Sequence, residues 1–116
     1  MQLMIFFMKQ VELVNELIKA LAEAGIKGCT FLDAHGMAEV LDDYSNIPAF
    51  GTLRQMMSTT NRQSTKMMML ALRDDQVTKA SETIKSVVGD LSKPNTGVII
   101  TVPIYFCEGL VDQNDK

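Results

Sequence analysis

Several features that mark specialised classes of protein are scarce or missing in this chain of 116 residues. There is no tryptophan, and the two cysteines, Cys29 and Cys107, are too few for a disulfide framework. The apolar run at residues 3–8 is too short for a membrane span or a signal peptide, and no basic residue precedes it. These absences predict one domain over residues 1–116, located in the cytoplasm with reduced thiols.

The balance of charge excludes a further class of function. Eleven basic and fourteen acidic side chains give a net charge of −3, without the strong positive field of proteins that bind nucleic acid polymers. One local phosphate site remains compatible with this balance. The nine methionines are most simply explained as core residues, since a flexible thioether fills irregular gaps well.

Apolar periodicity predicts the order strand, helix, strand, strand, helix, strand. The strands are expected at residues 3–8, 29–34, 66–72 and 98–106, and residues 37–41 continue the second strand past a kink at Gly36. Spacings of three and four predict amphipathic helices at 11–24 and 75–88, the second capped by Asp74. Gly25 and Gly89 are suited to end them. The predicted apolar helix faces are Val11, Val14, Leu17, Ile18, Leu21 and Ala24, and Val77, Ala80, Ile84, Val87 and Val88.

The two halves of the chain repeat this pattern. The strands that start at Leu3 and Met67 are 64 residues apart, and so are the helix ends at Gly25 and Gly89. Two βαβ halves of equal length predict an α+β, ferredoxin-like βαββαβ sandwich. In this fold a four-stranded antiparallel sheet carries two helices on one face.

Three of the predicted strands are apolar on both faces. Strands of a sheet with one solvent-exposed face normally alternate apolar and polar residues. This alternation is missing from residues 3–8, 67–72 and 98–102. Because two helices cover only one face, the other face must be buried by something else. Further copies of the same sheet are the simplest cover, which predicts a homo-oligomer.

The segment 42–65 has no regular period and is rich in polar residues. So long a connection is uncommon in a compact domain, and it is usually functional or disordered. Either it is a plain flexible linker, or its apolar residues dock on a partner or a ligand. Those residues, Ile47, Phe50, Leu53 and Met57, are spaced by three or four. We expect the segment to be mobile without ligand.

The sequence offers few groups that could act in catalysis. The single histidine, His35, has no Ser-His-Asp or Cys-His arrangement around it by spacing, and no Walker motif or Cys-x-x-Cys occurs. We therefore predict that the chain is not an enzyme. Cys29, His35, Cys107 and the methionines remain open as ligands of a soft metal.

Glycines are the stronger candidates for a binding site. Gly25 and Gly28 precede Thr30 at the entry to the second strand, Gly36 lies near its far end, and Gly97 opens the fourth. A glycine lets a backbone N–H approach an anion without a side chain in the way. The alternative for each is an ordinary turn glycine.

The chain resembles the PII-type nitrogen-regulatory signalling proteins. The helix end Leu21-Ala-Glu-Ala-Gly25-Ile-Lys-Gly28-Cys-Thr30 is similar to the family's Ala-Glu-x-Gly-[IV]-x-Gly-x-Thr run. A glycine in the second strand and a long loop follow, as in the family. Asp74-Asp75 stands where the family begins its second helix with paired aspartates, and residues 97–104 are similar to its closing strand. The resemblance covers residues 1–106.

The resemblance implies a homotrimer that binds adenine nucleotides in clefts between its subunits. Its mobile loop, here 42–65, would engage a membrane transporter or an enzyme. Matching positions imply nucleotide contacts from Gly28, Thr30, Gly36 and Gly97, with the backbone near Leu70 and Ala71 lining the base pocket.

Several departures from the family pattern concern charge. Glu39 and Val98 stand where the family has basic residues that neutralise phosphates, and Tyr105, Phe106 and Glu108 replace its usual basic residues beyond the fourth strand. A ligand with few charges, such as AMP, ADP or a cyclic nucleotide, is therefore expected to bind at least as tightly as ATP. The competing interpretations are a metal-handling trimer like the CutA-type proteins and, third, a small enzyme on the same scaffold.

Overall fold

The computed structural model describes residues 1–37, 40 and 65–110. These residues form an α+β fold with a four-stranded antiparallel sheet and two helices, which is compatible with the expected ferredoxin-like sandwich. The sheet has the strand order β2-β3-β1-β4. The elements are β1 (Gln2–Met8), α1 (Val14–Glu23), β2 (Thr30–Ala34), β3 (Thr65–Leu72), α2 (Val77–Val88) and β4 (Gly97–Pro103). One 3₁₀ turn precedes each helix, at Val11–Leu13 and Asp74–Gln76.

The core lies between the two helices and one face of the sheet. From Met4 in β1 and from Met68 in β3, every second residue is buried there, because successive side chains of a strand point to opposite faces. These strand residues are Met4, Phe6, Met8, Met68, Leu70 and Leu72. Leu17 and Leu21 of α1 and Ala80, Ile84 and Val88 of α2 complete the cluster. Three methionines therefore fill core positions, as predicted.

The end of α1 confirms the role predicted for Gly25. Gly25 has a φ of +86°, its N–H donates to the Ala22 carbonyl oxygen (3.0 Å), and the Ile26 N–H donates to that of Leu21 (2.9 Å). This bond pair is the Schellman motif, in which the left-handed residue is usually glycine. Leu21 and Ile26 are both buried, as the motif's apolar contact requires.

Two details of the predicted helices are wrong. Asp74 does not cap α2: its carboxylate accepts from the Gln2 side chain and pairs with the Met1 amino group. The turn before α2 instead begins at Arg73, whose N–H donates to the Gln76 side-chain oxygen. Ile18 is 43% exposed, because it lies on the solvent side of the α1 stripe.

Several predicted strand boundaries also need correction. Met37 and Val40 are helical and do not continue β2, since the Val40 N–H donates to the Gly36 carbonyl oxygen four residues earlier. β4 ends at Pro103, which pairs with Gln2, the first residue of β1. Thr65 is buried in β3, so the segment predicted as a loop over 42–65 ends at 64.

Neither α1 nor α2 packs on the second face of the sheet, and the side chains of this face are mostly apolar. The register places thirteen side chains on this face, eleven apolar and two threonines, with no charge among them. They are Leu3, Ile5, Phe7, Thr30, Leu32, Ala34, Thr65, Met67, Met69, Ala71, Val98, Ile100 and Val102, hereafter the open face. The large exposed apolar residues on it include Leu32, Val98, Ile100 and Val102.

Residues 38–39, 41–64 and 111–116 lie outside the described part of the chain. The predictions for Glu39 and for the apolar stripe of segment 42–64 fall there. Of the helices in the described ranges, neither α1 with ten residues nor α2 with twelve is long and apolar enough to cross a bilayer.

Candidate functional site

A cavity of about 840 Å³ opens beside the connection between α1 and β2, and we call it the loop cavity. The connection itself, residues 25–30, forms one wall. The end of β3 and the residues that follow it form a second wall, and the segment after β4 forms a third. These two walls include Met69, Ala71, Arg73, Gln76 and Cys107.

Three of the six residues that the sequence assigned to a binding site line the loop cavity. Gly28 and Thr30 come from the α1–β2 connection, and Ala71 comes from the neighbouring strand β3. Thr30 pairs with Met69 in the sheet, which fixes the connection against β3. Leu70 does not line the cavity: its side chain is only 1% exposed and points into the core on the other face.

The remaining two assigned residues lie at the opposite end of the sheet. Gly36 follows the far end of β2, and Gly97 pairs with Met8 at the far end of β1. β2 alone separates the two ends by roughly 13 Å, at about 3.3 Å of rise per residue. One protomer therefore divides the five residues into a cavity group, Gly28, Thr30 and Ala71, and a far-end group, Gly36 and Gly97.

The fold requires a glycine at only one of the three glycine positions in these two groups. Gly97 has a φ of +144°, and a Cβ there would stand 2.5 Å from the Phe7 carbonyl oxygen, so packing requires a glycine. Gly28 and Gly36 have no positive φ, and no described atom lies within 4 Å of a Cβ built on either. The fold of the described residues gives no reason for glycine at these two positions.

Two cations border the loop cavity. Lys27 belongs to the α1–β2 connection and is exposed. Arg73 follows β3, and its Nε lies 3.2 Å from an Asp75 carboxylate oxygen. A smaller cavity of about 380 Å³ shares Arg73 and Gln76 with the loop cavity and adds both Lys79 and Asp75. Lys27 and Lys79 offer positive charge to an anion at this corner, while Asp75 neutralises part of the charge of Arg73.

The backbone of the connection offers further donors. Within the described part of the chain, the Gly28 N–H donates no hydrogen bond to another protein group. A free N–H without a side chain beside it is suited to meet a phosphate or carboxylate oxygen.

Both cysteines of the chain line the loop cavity as free thiols. Cys29 keeps an exposed surface, yet partial burial in the concave wall raises the pKa of its thiol. The sequence offered Cys107 and the methionines only as possible soft-metal ligands and did not place Arg73 in a site, because only the folded chain brings these separate segments to one cavity.

The soft-metal constellation suggested by the sequence is only partly assembled. His35 follows the end of β2 away from the loop cavity, so it does not join Cys29 and Cys107. Among the described residues, no three histidine, cysteine or acidic side chains form a group that could hold a metal ion. A site built on all three residues is therefore wrong within one protomer.

Comparison with known proteins does not assign the chain to a family: no protein-family model and no curated protein matches it.

Proposed function

We propose that this chain is a regulatory binding protein of the PII-like kind. In this proposal a small effector, an adenine nucleotide, binds at the loop cavity and controls a partner protein through segment 42–64. The partner would be a membrane transporter or an enzyme. The observation that carries the proposal is the convergence of Gly28, Thr30 and Ala71 on one cavity of about 840 Å³. Ligand sites for small molecules commonly have volumes of about 300–1,000 Å³.

The chemistry of the cavity favours an anionic ligand with an apolar part. Lys27, Arg73 and the Gly28 N–H supply the donors that a phosphate group needs. Met69 and Ala71 supply apolar surface on which a purine ring can lie. A nucleotide combines these two chemistries in one molecule.

A homotrimer with its sites between subunits accounts for two features that a single protomer leaves unexplained. The open face is apolar and uncharged, as expected of a surface that is covered in the assembly. Gly36 lies far from the loop cavity, although the fold of the described residues does not require glycine there. In an assembly, the far-end group of one copy would complete the cavity group of the next.

Regulation requires the effector to bind one arrangement of segment 42–64 more tightly than another. A tenfold difference in affinity corresponds to about 1.4 kcal/mol of coupling free energy. The α1–β2 connection is suited to transmit it, because β2 begins at Thr30 in the cavity and runs towards Gly36, close to the start of the segment.

A thermal-shift panel tests the proposal. The full chain is heated with AMP, ADP, ATP, cyclic AMP and, as a specificity control, the corresponding guanine nucleotides. We expect at least one adenine nucleotide to raise the melting temperature, and Gly28→Leu, which fills the cavity, to abolish the effect. Ala22→Leu adds the same kind of bulk at an exposed site on α1 and should leave the shift unchanged.

A second variant tests whether the ligand site lies between two subunits. Gly36→Leu, at the far end of the sheet, should also lower the nucleotide shift if two copies share the site. A shift that Gly28→Leu abolishes and Gly36→Leu leaves intact would place the ligand within one protomer. No shift with any adenine nucleotide would contradict the proposed effector class.

A further inference from the structure

Sulfur-containing residues from separate parts of the chain line the loop cavity. The whole chain has two cysteines, and both line this one cavity although 78 residues separate them in the sequence. Met69 of β3 and Met1 line it as well, so four of its lining residues carry sulfur.

The rest of the lining lacks the ligands that harder metals prefer. Of the described residues around the cavity, none is an aspartate, a glutamate or a histidine. Mg²⁺, Ca²⁺ and Mn²⁺ favour carboxylate oxygens, and Zn²⁺ and Cu²⁺ commonly use imidazole. Thiolates select Cu(I), Zn²⁺ and Fe–S clusters, and the thioethers beside them favour Cu(I), because Zn²⁺ in proteins is held by cysteine, histidine and carboxylate ligands.

From this donor set we propose that the loop cavity is a site for a soft monovalent metal ion, Cu(I), with Cys29 and Cys107 as thiolate ligands and Met69 as a thioether ligand. Each cysteine gives up its proton to solvent when the metal binds, and the copper stays in the monovalent state throughout. The inference does not depend on nucleotide binding, since it rests only on the sulfur atoms of the cavity wall.

The neighbouring charges suit such a complex. Two thiolates and one Cu(I) ion carry a net charge of −1, and Lys27 and Arg73 border the same cavity. Nearby cations favour the anionic complex, whereas burial raises the pKa of the Cys29 thiol and disfavours its thiolate before the metal binds. Both thiols are free and have exposed surface, so a metal ion can reach them without unfolding of the chain.

The experiment is an anaerobic titration of the reduced full chain with Cu(I), in competition with the chromophoric chelator bicinchoninate and without nucleotide. We expect one Cu(I) per chain. Cys29→Ser and Cys107→Ser should each weaken binding by at least a hundredfold, and Met69→Leu by about tenfold. Met67→Leu is the matched control, because Met67 lies on the open face without lining the cavity.

A second measurement makes the result independent of how the variants fold. The unmodified chain, alkylated at both thiols with N-ethylmaleimide, should retain its circular dichroism spectrum and lose Cu(I) binding. Equal Cu(I) affinity in the unmodified chain and in either cysteine variant would overturn the proposal. So would retained binding after alkylation, or a Met67→Leu effect as large as that of Met69→Leu.

Discussion

Gly97 and Phe7 meet so closely in neighbouring strands that a Cβ on Gly97 would lie 2.5 Å from the Phe7 carbonyl oxygen. The Phe6 ring is almost as near, with its Cε1 atom 2.6 Å from the same point. The backbone of β1 cannot move away without breaking its register with β3 and β4. This contact gives Gly97 a structural role whatever its part in ligand binding.

Gly97→Ala is therefore expected to destabilise the protein. The clash and the positive φ together should cost at least about 2 kcal/mol. Thermal unfolding should show a melting temperature lower by roughly 8 °C or more. Gly28→Ala is the control and should change stability by less than about 0.5 kcal/mol, since its Cβ meets open space. Equal melting temperatures for the two variants would refute this account of Gly97.

The proposed homotrimer predicts what a charge on the open face would do. Ile100 lies in the middle of β4 opposite Ile5 and is 43% exposed in the protomer. We expect the unmodified protein to sediment as three chains of 12.9 kDa and Ile100→Asp to sediment as one. Thr78→Asp introduces the same charge on the exposed side of α2 and should remain trimeric. A stable monomer of the unmodified protein at micromolar concentration would contradict the prediction.

The thiol of Cys29 should react slowly at neutral pH. Burial raises its pKa, so the nucleophilic thiolate forms only at a pH above the ordinary value of about 8.5. In Cys107→Ser, the iodoacetamide alkylation rate should reach half its maximum above that pH. Protein unfolded in urea should follow a free cysteine peptide measured in parallel. An identical pH profile for folded and unfolded protein would show that the cavity wall does not protect the thiol.

Asp74 should titrate at an unusually low pH. The Gln2 amide and the Met1 amino group both favour its charged form and lower the pKa of the carboxyl group. Its contribution to stability is present above the ordinary aspartate pKa and is lost as the pH falls through the lowered value. Carboxyl NMR should place the midpoint below about 3.9, and Gln2→Ala should move it upwards. An unchanged midpoint in Gln2→Ala would remove Gln2 as the principal cause.

The sequence carried enough information for the order of the strands and helices. Apolar alternation and helical spacing locate the core, and the Schellman ending at Gly25 is encoded by a short local stretch. Met37 and Val40 were misassigned because the apolar residues at 37, 40 and 41 are spaced by three and four, which suits a helix as well as a strand. Asp74 was misassigned because Gln2, its partner, is 72 residues away in the sequence.

The lining of the candidate site was predictable only where it depends on one local motif. The Gly28 to Thr30 stretch identified the α1–β2 connection, and the connection does line the cavity. Arg73 and Cys107 reach the same cavity through the sheet topology, and no local spacing records that proximity. The division into a cavity group and a far-end group likewise follows from strand pairing and not from the sequence.

Val98 provides a test of the charge balance at the proposed inter-subunit site. It adjoins Gly97 in the far-end group and is 53% exposed in the protomer. Because Val98 also lies on the open face, opposite Phe7, the variant is compared with the unmodified protein only after sedimentation shows that it still forms a trimer. A charge-assisted hydrogen bond to a phosphate contributes about 1.5–3 kcal/mol, so Val98→Lys should strengthen ATP binding roughly tenfold or more. AMP affinity should change less, and adding Glu39→Arg should widen the difference. The same gain for AMP and ATP would contradict this placement of Val98.

The most direct measurement of the central claim is a calorimetric titration of the full chain with AMP and, in parallel, with ATP. The account predicts one nucleotide per chain, with ATP binding no more tightly than AMP, and loss of the binding heat in Gly28→Leu. Micromolar ATP binding at least tenfold tighter than AMP would contradict the account, because it would require the outer phosphates to meet cations beyond Lys27 and Arg73. Absence of binding heat for both nucleotides would contradict the claim that this cavity takes an adenine nucleotide.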